Sequence, residues 1–116
     1  ILKGGKPFAT LGSPGGKRII STMAFLISNL VDFDMGIQTA INAPRFNNYE
    51  HAPLKVEARI PEDVRAALAE KGHELDIKKD FDLYFGGAHV VVRYPDGHVE
   101  AHGDSRRGGA SAVVDL

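Results

Sequence analysis

Leu11-Gly12-Ser13-Pro14-Gly15-Gly16-Lys17-Arg18-Ile19-Ile20 sets two adjacent glycines directly before a long segment of apolar periodicity. Adjacent glycines let the backbone bend sharply, and no Cβ covers their N–H groups. A helix start adds unpaired N–H donors and the positive end of a dipole. Together these make a site for an anion, or for an oxygen that becomes anionic during a reaction. The competing reading is a plain strand-to-helix turn. Upstream, Lys6 to Leu11 carries Phe8, Thr10 and Leu11 and reads as the strand that enters the turn. Downstream, Ile19, Met23, Leu26, Ile27 and Leu30 fall at helical spacing between Arg18 and Val31, with Ile20, Ala24 and Val31 alongside.

Working outward, Asp32-Phe33-Asp34 stops that helix, and Asp34 is expected to cap a second one over Met35 to Asn42. Pro44 ends it, because proline disfavours helix at the residue before it. Arg45 to Pro53 reads as loop. Leu54 to Ile60 alternates, with Leu54, Val56 and Ala58 expected on a buried face and Lys55, Glu57 and Arg59 on a solvated one. Pro61 opens a helix with Glu62 and Asp63 in its first turn, Val64 and Leu68 as its apolar stripe and Gly72 past its end. His73 to Lys79 alternates again through Leu75 and Ile77. Ala88 to Tyr94 and His98 to His102 form a hairpin around Pro95-Asp96-Gly97, where φ is fixed, a side chain bonds locally and a glycine follows. The order strand, two helices, strand, helix, strand, hairpin is α+β, or a piece of a layered sandwich.

The 116 residues make one domain-sized unit of ordinary globular composition, 43% hydrophobic and 25% charged. A net charge of −1 gives no long-range pull toward nucleic acid or an anionic membrane. Without cysteine there is no disulfide and no thiolate metal site. No apolar run reaches membrane-spanning length, and the N-terminus lacks the order of a signal peptide. The chain opens on Ile1-Leu2 and runs directly into the strand turn Lys3-Gly4-Gly5-Lys6-Pro7, so Ile1 is expected to be a cut point inside a longer polypeptide.

Counting residues removes two readings of the glycine turn. A phosphate loop needs glycine where Leu11 stands and a hydroxyl where Arg18 stands. A serine elbow around Ser13 also needs glycine at Leu11, so Ser13 is expected to bond its own turn instead. The remaining chemical reading is that Gly15 and Gly16 donate N–H groups to an oxyanion. Elsewhere, His89, His98 and His102 sit on the hairpin, where three imidazoles near one another would bind a metal, although their spacing fits no zinc signature. His51 and His73 lie in a loop and at a helix end. Asp104 and Arg106 are expected to form a structural or substrate-facing ion pair. Arg45 is expected either to dock a carboxylate or to enter a buried ion pair.

The ordered set Thr10-Leu11-Gly12-Ser13-Pro14-Gly15-Gly16-Lys17-Arg18-Ile19-Ile20, Asn42-Ala43-Pro44-Arg45-Phe46, Gly86-Gly87-Ala88-His89 and Gly103-Asp104-Ser105-Arg106-Arg107-Gly108-Gly109-Ala110 resembles the C-terminal part of the small subunit of γ-glutamyltranspeptidases. The resemblance covers essentially all of residues 1–116. It implies the four-layer αββα sandwich of the N-terminal-nucleophile hydrolases and a self-cleaving precursor. The nucleophile would be a new N-terminal threonine whose own α-amino group acts as base. It also implies γ-glutamyl transfer from glutathione or a related amide to water, an amino acid or a peptide, with no cofactor. Gly15 and Gly16 match the family's oxyanion-hole pair, and Ser13 and Pro14 would shape that turn beside the substrate. No residue here matches the nucleophile, so the partner is the remainder of the autoprocessed enzyme, and the isolated chain is expected to be inactive. Like most bacterial relatives, the whole protein would be periplasmic or extracellular. Asp104-Ser105-Arg106 stands where the family usually has Asp-Pro-Arg. Such variation also occurs in relatives acting on other amides, which keeps a different amide substrate as the alternative, beside a non-catalytic association module.

Overall fold

The computed structural model describes residues 1–49 and 52–114, so His51 lies outside the described residues. The chain opens with a two-stranded hairpin, β1 (Leu2–Lys3) and β2 (Lys6–Pro7), and continues into β3 (Ala9–Gly12). After the glycine turn a 3₁₀ turn (Gly16–Arg18) leads into α1 (Ile19–Val31) and then α2 (Ile37–Asn42). A second unit follows: β4 (Phe46–Asn47), β5 (Leu54–Glu57), α3 (Glu62–Glu70) and β6 (Leu75–Lys78). The chain then returns through a 3₁₀ turn (Leu83–Phe85) to β7 (His89–Arg93) and β8 (Val99–Gly103), and a last 3₁₀ turn covers Ser105–Arg107.

Two three-stranded sheets result. In the first, β7 lies between β3 and β8, all antiparallel, with Leu11 opposite Val90 and Ala9 opposite Val92. Its alternation is clean: Val90 and Val92 point into the core with Ala9, and His89, Val91 and Arg93 point out. The inner face packs on α1 and α2 through Leu26, Leu30, Ile37, Ala40 and Ile41. The outer face, with Thr10 and Val91, is uncovered among the described residues. The second sheet pairs β5 antiparallel with β4 and parallel with β6, with α3 as the crossover. Leu54, Val56 and Ile60 form its small core with Leu68 and Leu75. Among the described residues no helix is long and apolar enough to cross a membrane.

Four local expectations need correction. Asp34 does not cap α2: it takes a left-handed conformation, φ +49°, that reverses the chain, and Gly36 holds the cap position without a side-chain bond. The stretch from Arg45 is not all loop, because Phe46 and Asn47 pair with Val56 and Lys55. Strand β5 stops at Glu57, and Glu57 is fully buried rather than solvated. In α3 only Leu68 reaches the core, and Val64 stays exposed.

Candidate active site

Strand β3 delivers the chain into a turn whose backbone favours glycine. Gly15 has φ +141° and Gly16 φ +59°, both in the region where a Cβ is strained. Gly15 is half-buried, Gly16 is exposed, and among the described residues neither N–H has a hydrogen-bond partner. The turn is fastened from beneath. The Ser13 hydroxyl donates to the Pro14 carbonyl at 2.9 Å and accepts the Gly87 N–H at 3.1 Å. This places the Gly86-Gly87 segment against the turn. Ser13 is thus occupied with backbone groups, and among the described residues no imidazole or carboxylate is one of its partners. Beside Gly15, the Arg18 guanidinium lies over the Tyr84 ring, 4.4 Å from its centroid. The Tyr84 hydroxyl in turn donates to Asn47 Oδ1 at 3.3 Å.

Behind the turn sits a buried ionic cluster. The Glu57 carboxylate accepts from Arg106 Nε and Nη2, from Arg59 Nη2 at 2.6 Å and from the Arg45 N–H at 3.4 Å. Asp104 accepts from the N–H groups of Ala88 and Arg106, each at 3.0 Å, and pairs with Arg45 Nη2 at 2.8 Å. Arg45 Nη1 donates to the Phe85 carbonyl at 2.9 Å, and further guanidinium donors go to carbonyls at the end of α2. Arg45 and Arg106 both reach Ile41, Arg106 reaches Ala43 and Arg59 reaches Asn42. Helix C-termini leave such carbonyls unpaired and carry negative partial charge, so cations belong there. The cluster therefore joins α2, β5, the end of β8 and the Phe85–Ala88 segment that supports the glycine turn. Asp104 and Glu57 are fully buried, and Arg45 and Arg106 nearly so. Both arginines consequently hold structural ion pairs rather than facing a substrate. Burial lowers the Arg45 pKa, with Arg106 adding to the shift, while Asp104 and Glu57 oppose it.

Burial alone pushes the Asp104 carboxyl upward, but the N–H groups of Arg106 and Ala88 and the two guanidinium charges outweigh it. Its pKa is therefore held below the usual carboxylate range. A group with a depressed folded pKa contributes stability that is present above its unfolded value, about 4, and lost as pH falls through the folded value. Denaturant midpoints of the full-length protein should thus show an acid limb below about pH 4 that flattens in Asp104→Asn. An unchanged acid limb in that variant would remove Asp104 from the account.

The three hairpin histidines do not converge. His89 is opposite Gly103 and Val90 is opposite His102, so strand alternation puts His89 and His102 on opposite faces. His98 instead stacks on Tyr94 and meets Glu100 at 3.3 Å. Among the described residues no cluster of three His, Cys, Asp or Glu could hold a metal ion. His73, past the end of α3, is exposed.

The family model for γ-glutamyltranspeptidase matches residues 1–114. The chain belongs to the γ-glutamyltranspeptidase family. It is 32% identical over 108 residues to a glutathione hydrolase proenzyme of Escherichia coli, covering 91% of this chain and 18% of that protein. It is 36% identical over 96 residues to the acylase ACY 1 proenzyme of a Pseudomonas strain, covering 83% of this chain and 16% of that protein. Among solved structures, a T380A mutant of Helicobacter pylori γ-glutamyltranspeptidase superposes with a TM-score of 0.81 at 32% identity, covering 92% of this chain and 58% of that one. The α+β arrangement is thus part of the N-terminal-nucleophile hydrolase sandwich of the γ-glutamyltranspeptidases. The chain spans about a fifth of the length of its curated relatives.

Sequence reading missed two residues of the region. Glu57 gave no local signal, because its alternation with Val56 looked like a solvated strand face. Thr22 read only as part of the helix, yet it is buried on the inner face of α1.

Proposed function

We propose that this chain is the C-terminal segment of the small subunit of a γ-glutamyltranspeptidase-like amidohydrolase, and that Gly15 and Gly16 form its oxyanion hole. The observation that carries this is a pair of N–H groups without a partner among the described residues, held by a positive-φ backbone that favours glycine, in a chain of this family. An N-terminal threonine from the remainder of the enzyme attacks the γ-carbonyl carbon, and its α-amino group takes the hydroxyl proton. The carbonyl electron pair moves onto oxygen, where the two glycine donors stabilise it. Collapse expels the amine, which takes that proton, and leaves a γ-glutamyl ester on the threonine. Water or an acceptor amine then attacks the ester and regenerates the hydroxyl. The outer face of the first sheet and the exposed Ile20, Ile27 and Val31 on α1 are the surfaces the rest of the enzyme covers.

The complete enzyme is expected to release aniline from a chromogenic γ-glutamyl anilide, faster when an amino-acid acceptor is added. The isolated chain is expected to release none. Sustained turnover by the isolated chain would overturn the division of labour. The likeness to an acylase proenzyme and the Asp104-Ser105-Arg106 sequence favour a second reading, the same chemistry on another amide. Hydrolysis of a simple acyl anilide in preference to the γ-glutamyl one would select it.

A further inference from the structure

Thr22 is the one hydroxyl-bearing residue on the buried face of α1, in line with Leu26 and Leu30. Its Oγ1 donates to the Phe85 carbonyl at 3.1 Å. Arg45 Nη1 donates to the same oxygen at 2.9 Å, so both lone pairs of that carbonyl are engaged. Next along the chain is Gly86, at φ +88°. A Cβ there would lie 2.6 Å from Ser13 Oγ and 3.2 Å from both the Pro14 oxygen and Thr22 Oγ1. Gly87 then donates to Ser13 Oγ, which donates to the Pro14 oxygen. That oxygen belongs to the same planar peptide as the Gly15 N–H. Holding the Pro14 carbonyl therefore fixes the direction in which the Gly15 N–H points.

We infer that Thr22 is a positioning residue for the oxyanion hole. Its hydroxyl seats the Phe85 carbonyl, and through Gly86, Gly87 and Ser13 it sets the plane of the Pro14–Gly15 peptide. Packing does not require the hydroxyl, since valine has the same shape. Satisfying Phe85 does not require it either, because Arg45 already donates to that oxygen. What the second bond adds is a fixed lateral position, and donor geometry at a developing oxyanion is where small displacements cost rate. The inference rests on the oxyanion role proposed for Gly15 and Gly16.

The test is steady-state kinetics of the complete enzyme on a γ-glutamyl anilide, with Thr22→Val and Thr22→Ser. Thr22→Val is expected to lower kcat about 10- to 100-fold with KM within about twofold, and to shift the unfolding temperature by no more than about 3 °C. Thr22→Ser keeps the donor and is expected to recover kcat to within about threefold of the parent. A Thr22→Val kcat within threefold of the parent, or a serine variant as slow as the valine one, overturns the inference. If Thr22→Val does not mature, Ser13→Ala interrupts the same path nearer the turn. It is expected to show the same loss of kcat, and an unchanged kcat there is equally decisive against it. Gly15→Pro in parallel separates the two levels. Retained turnover in Gly15→Pro refutes the oxyanion role itself, whereas an inactive Gly15→Pro beside a normal Thr22→Val refutes only the part assigned to Thr22.

Discussion

Gly15→Pro in the complete enzyme is expected to lower turnover at least about 100-fold, the loss typical of one missing oxyanion donor. Proline removes the N–H and demands φ near −65°, whereas Gly15 sits at +141°. The substitution therefore removes one donor and misaims the next. Gly5→Pro is the matched control. Gly5 also has positive φ, at +77°, but it lies in the exposed β1–β2 turn beyond the opposite end of β3, with open space around it. Turnover in the control should stay within about threefold of the parent. Gel analysis of self-cleavage in both variants separates a folding defect from a catalytic one. Near-normal anilide release by mature Gly15→Pro would end the oxyanion assignment.

Glu57→Gln is expected to cost about 3–5 kcal/mol of stability, measured by denaturant unfolding of the complete enzyme. The carboxylate is fully buried and takes bonds from Arg106, Arg59 and the Arg45 backbone. Removing its charge leaves Arg106 buried with less compensation, and the new amide N–H₂ points donors at donors. Arg59→Met is the contrast. Its side chain is 22% exposed, so its pair with Glu57 is partly screened, and the loss should be about 1 kcal/mol or less. Equal losses in the two variants would show that burial is not what makes the cluster matter.

The legible parts of this chain are those whose causes are local. Helix α1 follows from apolar spacing within its own residues. The β7–β8 hairpin follows from Pro95-Asp96-Gly97, where Asp96 accepts the His98 N–H at 2.9 Å as its position in the turn implies. The glycine turn was legible because positive φ selects glycine, and the sequence resemblance supplied the fold of the larger sandwich. What escaped is set by distant partners. Glu57 is buried because Arg106 reaches it from 49 residues away. Thr22 is oriented by a carbonyl 63 residues away. Alternation within Leu54–Glu57 carries no trace of the first, and helix periodicity none of the second. Strand β4, at two residues, is too short to show any period. Asp34 misled because the residue type that caps helices also tolerates left-handed backbone.

The ionic cluster also sets an order in time. Arg106 closes bonds to Ile41 across 65 residues and to Glu57 across 49, and Asp104 arrives with it. During synthesis the unit β5–α3–β6 and the pair α1–α2 emerge first, and each can form on nearby contacts. Until residue 106 leaves the ribosome, Glu57 and Arg45 lack their long-range counter-ions, and the seam between the two sheets carries unpaired charge. The last 3₁₀ turn is then the latch of the structure. Nascent chains halted before it should remain open to protease across that seam, while those released beyond it close as one unit.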